Sequence, residues 1–179
     1  MKKNKLKKFF SSFMLLSSVI FLVISLSSCA RTVNLYFASA SETEFHLEKE
    51  TREIPLSDEF YKSVIEELIK GPKSGELYPT IPSNVKVNSI SISSSTATVD
   101  LSKEILTNFE EIPHSSTTET LALFSIVNTL TEFEEIKKVK IIVEGKDSGE
   151  IDGLYIEDFW GHIGIYEEFT RNEDIIKKQ

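Results

Sequence analysis

Apolar residues recur along the chain with two distinct spacings, and the changes of spacing mark its elements. Val33, Leu35 and Phe37 alternate with Asn34 and Tyr36, the period-two signature of a strand. Residues 38–44 are small and polar and predict a loop. Phe45 to Ile54 alternates weakly and is charged, with Arg52 near its end. Such a strand suits a sheet edge, where charge blocks unwanted pairing. From Phe60 the period lengthens. Phe60, Tyr61, Val64, Ile65, Leu68 and Ile69 line one helical face, opposite Lys62, Glu66, Glu67 and Lys70. Ser57 is the predicted N-cap, Asp58 and Glu59 complement the helix dipole, and Gly71-Pro72 stops the helix.

Residues 73–83 hold Gly75, Pro79 and Pro82 and predict an irregular connection. Val85 to Ser93 reads as a strand whose apolar phase slips between Val87 and Ile90, as at a bulge. Ser94-Ser95 turns the chain, and Ala97, Val99 and Leu101 return it as a hairpin. Ser116-x-x-Glu119 has the capping-box spacing ahead of an apolar run. Leu123, Phe124, Val127 and Leu130 form a stripe that Leu121, Ala122 and Ile126 widen, which predicts a helix buried on more than one side. Val139 to Val143 predicts a strand, Gly145 to Gly149 a turn, and Ile151 to Ile156 a final strand broken by Gly153. The last residues are charged and are expected to lose order near Lys177. Two helices interleaved with these strands predict an α/β (α+β) fold. It is a two-layer sandwich: a mixed sheet of about four to six strands with two helices on one face.

The first 28 residues follow a different plan. Lys2, Lys3, Lys5, Lys7 and Lys8 precede an apolar stretch from Phe9 to Leu26, and no acid occurs before Cys29. A basic start, an apolar middle and small residues at the end define a secretory signal. Leu26-Ser27-Ser28-Cys29 resembles the lipobox cut by the bacterial lipoprotein signal peptidase. An uncleaved transmembrane anchor is the alternative, since a run of this length can span a bilayer. Cys29 decides between them: it is the single cysteine of the chain and stands where lipidation requires a thiol. The expected layout is a signal peptide over residues 1–28, a lipidated linker over 29–32, a domain over 33–156 and a tail over 157–179. Membrane contact is through the N-terminal lipid, on the extracytoplasmic face. With its thiol modified, the domain is held by its core and not by a disulfide.

Charge narrows the partners. Removing the five signal lysines leaves 15 basic residues against 28 acidic ones, a formal net charge of −13. Phosphate backbones and anionic head groups repel such a protein, which excludes nucleic acid.

Candidate chemistry is sparse. His46, His114 and His162 fall in no metal-ligand spacing, no Gly-x-Ser-x-Gly turn occurs, and no Gly-rich phosphate loop appears. No cofactor and no catalytic residue are expected. Asp147, Glu150, Asp152, Glu157 and Asp158 cluster in sequence without EF-hand spacing, and read as a solvated acidic turn region. Tyr155, Phe159, Trp160, Tyr166 and Phe169 either pack over an open end of the core or form a contact surface, since Trp and Tyr serve as interface anchors. Tyr155, Phe159, Trp160 and Tyr166 are the candidate interaction residues.

Several segments together resemble a known family. Val33 to Phe37 follows the lipobox and Arg52 closes the second strand. Then come Val64-Ile65-Glu66-Glu67-Leu68-Ile69-Lys70-Gly71-Pro72, Thr80-Ile81-Pro82, Ala97 to Ser102 and the helix from Thr120 to Leu130. In this order and spacing they resemble the GerMN domain of sporulation and germination lipoproteins, over residues 33–156. The resemblance implies a non-catalytic extracytoplasmic domain that serves in assembly at the cell envelope, with an envelope protein or complex as partner. A wall glycan or peptide hydrolase and a small-ligand-binding lipoprotein are the alternatives. An enzyme would need a concave pocket of convergent polar groups with perturbed pKa values, and a binding module only a flat patch or an unpaired strand edge.

Overall fold

The computed structural model describes residues 29–40 and 44–178. The signal peptide read over residues 1–28 lies outside them. The chain divides after Ala30, and the fold below is that of the second unit, Arg31–Gln179.

Strand β1 (Ala30–Ala40) is buried along most of its length and serves two cores. Val33, Leu35 and Phe37 enter the main core, while Tyr36 and Ala38 join a smaller cluster with Leu47 and Leu121. It lies between β2 (Phe45–Pro55) and the short β3 (Leu77–Tyr78), pairing β3 antiparallel with Ala38 opposite Tyr78. β2 is therefore an edge, as its charge predicts. Its Arg52 nevertheless points inward and is buried.

Helix α1 (Phe60–Ile69) buries Phe60, Val64, Ile65, Leu68 and Ile69, the predicted face. Its start differs from the expectation. Glu59 is the N-cap residue and makes no side-chain cap bond, and Ser57 contributes its carbonyl to the Phe60 amide at 3.1 Å. Gly71 ends the helix with φ +80°, a left-handed turn in which its amide reaches the Leu68 carbonyl at 3.0 Å.

The second sheet is four-stranded. β4 (Val87–Ser93) and β5 (Thr96–Leu101) form the predicted hairpin, turning at Ser94 and Ser95 with φ 49° and 65°. The register shifts between Val87 and Ser89, where the apolar phase slips. β6 (Lys138–Val143) lies parallel to β5, which requires a long crossover. The crossover contains α2 (Glu104–Thr107), a single turn too short to show a period, and α3 (Ser116–Leu130). Ala97, Val99, Leu101, Val139, Ile141 and Val143 bury one face of this sheet against the helices. The opposite face, Ile142 apart, is polar along β5 and β6 and partly exposed. The class is thus mixed α+β, with a four-stranded mixed sheet at its centre and the other strands in smaller sheets.

α3 is buried nearly all round, as its broad apolar stripe predicts. Its cap lies one residue earlier than expected. Ser115 is the N-cap and exchanges bonds with Thr118, which frees Glu119 for another use.

Beyond β6, β7 (Glu150–Ile151) and β8 (Leu154–Tyr155) make a two-residue hairpin around Asp152-Gly153. β9 (Phe169–Thr170) then joins β6 antiparallel. The expected loss of order near Lys177 is not what the structure shows. The Leu47 amide bonds the Ile175 carbonyl at 2.8 Å, and the Lys177 amide bonds Leu47 at 2.9 Å. These backbone bonds strap the C-terminal segment along the edge of β2.

Candidate functional site

Where β1, β2 and β3 meet the start of α3, the surface opens into a pocket of about 340 Å³. Ala38, Phe45, Tyr78, Pro79, Ile112 and Leu121 supply most of its wall. Phe45 is 57% exposed and Tyr78 54%, so two aromatic rings stand at the rim with their faces largely wet. Three hydroxyls of the lining, those of Thr80, Ser115 and Thr118, are engaged by the scaffold. Thr80 Oγ1 donates to Ser125 Oγ at 2.8 Å, and Ser125 Oγ donates to the Ala122 carbonyl at 2.8 Å. Ser115 and Thr118 close the helix cap, and Thr118 Oγ1 donates to the Pro113 carbonyl at 2.7 Å. What remains free to meet a ligand is mainly carbon surface, a composition suited to apolar side chains.

A second hollow, about 520 Å³, opens between β1, β2 and the C-terminal segment and is charged. Tyr36 Oη donates to Glu132 Oε1 at 2.6 Å and accepts from Arg171 Nη2 at 2.6 Å. Arg171 also meets Glu132 at 2.9 Å, donates to the Asn128 carbonyl at 2.9 Å and lies over the Tyr36 ring. Burial and the bond to Glu132 push the Tyr36 phenol up to about 12, against the opposing pull of Arg171. Burial works against ionisation of Glu132, yet Tyr36, Asn34 and Arg171 together hold its carboxyl below the usual range. These groups satisfy one another. They lock the C-terminal segment to β1.

A third polar centre lies at the end of α1. Arg52 donates to the Glu67 and Gly71 carbonyls at 2.9 and 2.7 Å, satisfying groups that the helix leaves open. It also pairs with Glu50 at 2.6 Å, and Glu50 accepts the Lys73 and Ser74 amides at 2.9 Å each.

The residues singled out in the sequence fall in separate places. Cys29 is exposed and in no disulfide. His46 lies beside Glu44 at 3.3 Å, His162 is exposed, and His114 stacks on Trp160 with ring centroids 4.2 Å apart. Asp147 pairs with Lys140, Asp152 with Lys103, and Glu157 accepts the Gly149 amide. Asp158 bonds Tyr166, and Glu150 is exposed. Among the described residues, no three His, Cys, Asp or Glu side chains converge as a metal site would need. The aromatic set divides. Phe159 and Trp160 are buried in the main core, which removes them from the expected interaction surface, whereas Tyr155 and Tyr166 stay exposed. Phe45 and Tyr78 escaped the sequence reading, because period-two alternation marks a strand but not an uncovered end.

The family model described as Germane, sporulation and spore germination, matches residues 34–149. The chain belongs to this family. The match bears out the resemblance read from the sequence. The Germane domain is similar to the tandem GerMN domains of the sporulation protein GerM from Bacillus subtilis. The TM-score is 0.63 at 25% identity, with 84% of this chain covered and 49% of that one. It also shares the fold of the first GerMN domain of the same protein, with TM-score 0.52, 22% identity, and 76% and 99% of the two chains covered. The chain spans about half the length of the tandem structure. No curated protein matches it. No helix among the described residues is long and apolar enough to cross a membrane. The strapped segment beyond residue 149 lies outside the family match.

Proposed function

We propose that this Germane domain is a lipid-tethered, extracytoplasmic docking module of sporulation or germination, which holds an envelope protein and performs no chemistry itself. The observation that carries the reading is the pocket beside Phe45 and Tyr78, whose lining is mainly apolar and whose Thr80, Ser115 and Thr118 hydroxyls the scaffold already uses. Aromatic residues at an exposed apolar site are common anchors of protein partners. The lipobox would put the acyl chains on Cys29, immediately before β1, whose first residues take the place of the expected linker over 29–32. A stable anchor requires more than one acyl chain, which bacterial lipoprotein processing supplies.

Two measurements test this in spore-forming cells. Cys29→Ala should leave the protein unprocessed and without the diacylglyceryl mass on its N-terminal peptide. A variant that is cut and retained as before refutes the lipid anchor. A photo-crosslinking side chain placed at Tyr78 should capture one discrete envelope protein during sporulation or germination, and Phe45→Ser should abolish the capture. Absence of any crosslink, or cleavage of peptidoglycan by the purified protein, overturns the docking reading.

A further inference from the structure

The outer edge of β4 ends the four-stranded sheet, and no strand among the described residues pairs with it. The other edges are managed. Residues 175–177 cover β2, and β3 and β9 are only two residues long. Natural edges of greater length carry charge, proline or a bulge that turns strands away. β4 has its register shift at one end, between Val87 and Ser89, and regular pairing from Ser89 to Ser93. That stretch is uncharged, and no charged residue occurs from Val87 to Val99 in a chain that is 27% charged. Ser89, Ser91, Ile92 and Ser93 are exposed.

The regular edge reads Ser-Ile-Ser-Ile-Ser, the same in both directions. A closed two-fold contact requires this property, because each residue must suit the partner that faces it in the other copy. We propose that β4 pairs antiparallel with β4 of a second copy of this chain, about a two-fold axis through Ser91. In that register Ile90 faces Ile92 of the second copy, Ser89 faces Ser93, and Ser91 faces itself. Isoleucine meets isoleucine on the core side of the sheet and serine meets serine on the solvent side. The two four-stranded sheets become one. An acidic chain repels its own copy, and this contact lies where neither copy is charged. It uses a surface separate from the Phe45–Tyr78 pocket and stands whether or not that pocket docks a partner.

Single cysteines read the register in the full chain, in membranes treated with a mild oxidant. Facing residues of an antiparallel pair lie within disulfide reach. Ser91→Cys should shift from monomer to dimer on a non-reducing gel, well beyond the wild-type chain with its Cys29 alone. Ser89→Cys and Ser93→Cys should each stay monomeric, since each lies about 13 Å from its own counterpart in this register. Co-expressed together, the two should cross-link. All three serines are on the solvent face, and the mixed pair shows that both variants fold. The proposal is overturned if Ser91→Cys traps no more dimer than wild type. It is equally overturned if Ser89→Cys or Ser93→Cys alone traps as much as Ser91→Cys, or if their mixture traps no more than either one.

Discussion

The Gly164 amide donates to Glu119 Oε1 across 2.9 Å, joining the first turn of α3 to a loop 45 residues further along the chain. The Ile163 amide reaches the same oxygen at 3.0 Å and the His162 amide reaches Oε2 at 2.9 Å. Glu119 has no exposed surface, so three amides replace its hydration. Gly164 has φ +77°, and a Cβ there would stand 2.6 Å from the Glu157 carbonyl oxygen. Only glycine brings its amide this close.

Glu119→Gln keeps the shape of the side chain but turns one acceptor into a donor facing amide donors. It should destabilise the domain by about 1–3 kcal/mol in urea unfolding. Amides 162–164 should lose hydrogen-exchange protection before the rest. Unchanged stability would show that the ionised carboxylate does not hold this loop.

Arg52 is the centre of the α1 terminus, and lysine cannot replace its planar fork. Arg52→Ala leaves Glu50 mostly buried without its cation, and should cost about 3–5 kcal/mol. Arg52→Lys should recover less than half of that. The site also has a pH signature. Burial opposes ionisation of Glu50, but the Ser74 amide, Arg52 and the Lys73 amide hold its carboxyl below 4.5. Glu67 is likewise held low against its burial, by Lys70 and Arg52. Carboxyls depressed in the folded state add stability above their unfolded value, and this is lost as pH falls through the folded one. Melting temperature should therefore drop below pH 4.5, and less steeply in Arg52→Ala.

How far the sequence foretold these features depends on how local their causes are. The apolar face of α1, its stop at Gly71, the Ser94-Ser95 turn and the slip after Val87 each follow from a few neighbouring residues, and each appears where its pattern lies. The sequence points to Ser116 with Glu119 at the start of α3, whereas the structure caps the helix on Ser115 with Thr118. A loop 43 to 45 residues away needs the Glu119 carboxylate, and that decides between them. Arg52 reads as edge protection in isolation; its burial depends on carbonyls 15 and 19 residues distant. The charged C-terminus lacks the apolar period of an ordered element. Its order comes from backbone bonds to Leu47 and from Arg171 meeting Tyr36, 135 residues apart. The Phe45–Tyr78 pocket forms only once β3 pairs with β1, a contact without local signature.

At alkaline pH, Tyr36 and Tyr61 should control stability. Burial and a bond to Glu132 raise Tyr36 to about 12, and burial and a bond to Glu135 raise Tyr61 equally. A phenol held protonated in the folded state contributes stability below its unfolded value of 10 that is lost as pH rises towards 12. The unfolding free energy should fall across that interval. Tyr36→Phe should make the fall shallower while costing about 1 kcal/mol at neutral pH. Equal slopes in the two proteins would count against the network.

Trp160 is the single tryptophan, and its surroundings make it a reporter of the C-terminal packing. Its Nε1 donates to the Ile105 carbonyl at 2.7 Å, which ties the segment beyond β8 to α2. One face stacks on His114 and Phe159 stacks at 5.1 Å. Burial lowers the pKa of His114, the charge of His162 lowers it further, and Glu119 opposes both. Its Nε2 is buried without a hydrogen-bond partner among the described residues, so the imidazolium, protonated on both nitrogens, would hold an unsolvated N–H there. The folded state therefore prefers neutral His114, and stability should decline as pH falls below the unfolded value of 6.5. Indole emission, blue-shifted at neutral pH, should report the unfolding midpoint moving to lower urea between pH 7 and 5. His114→Phe keeps the stack and removes the proton acceptor. Its midpoint should stay constant over this range, whereas Trp160→Ala should cost about 3–5 kcal/mol at every pH. A His114→Phe protein with the wild-type pH dependence would place the titrating group elsewhere.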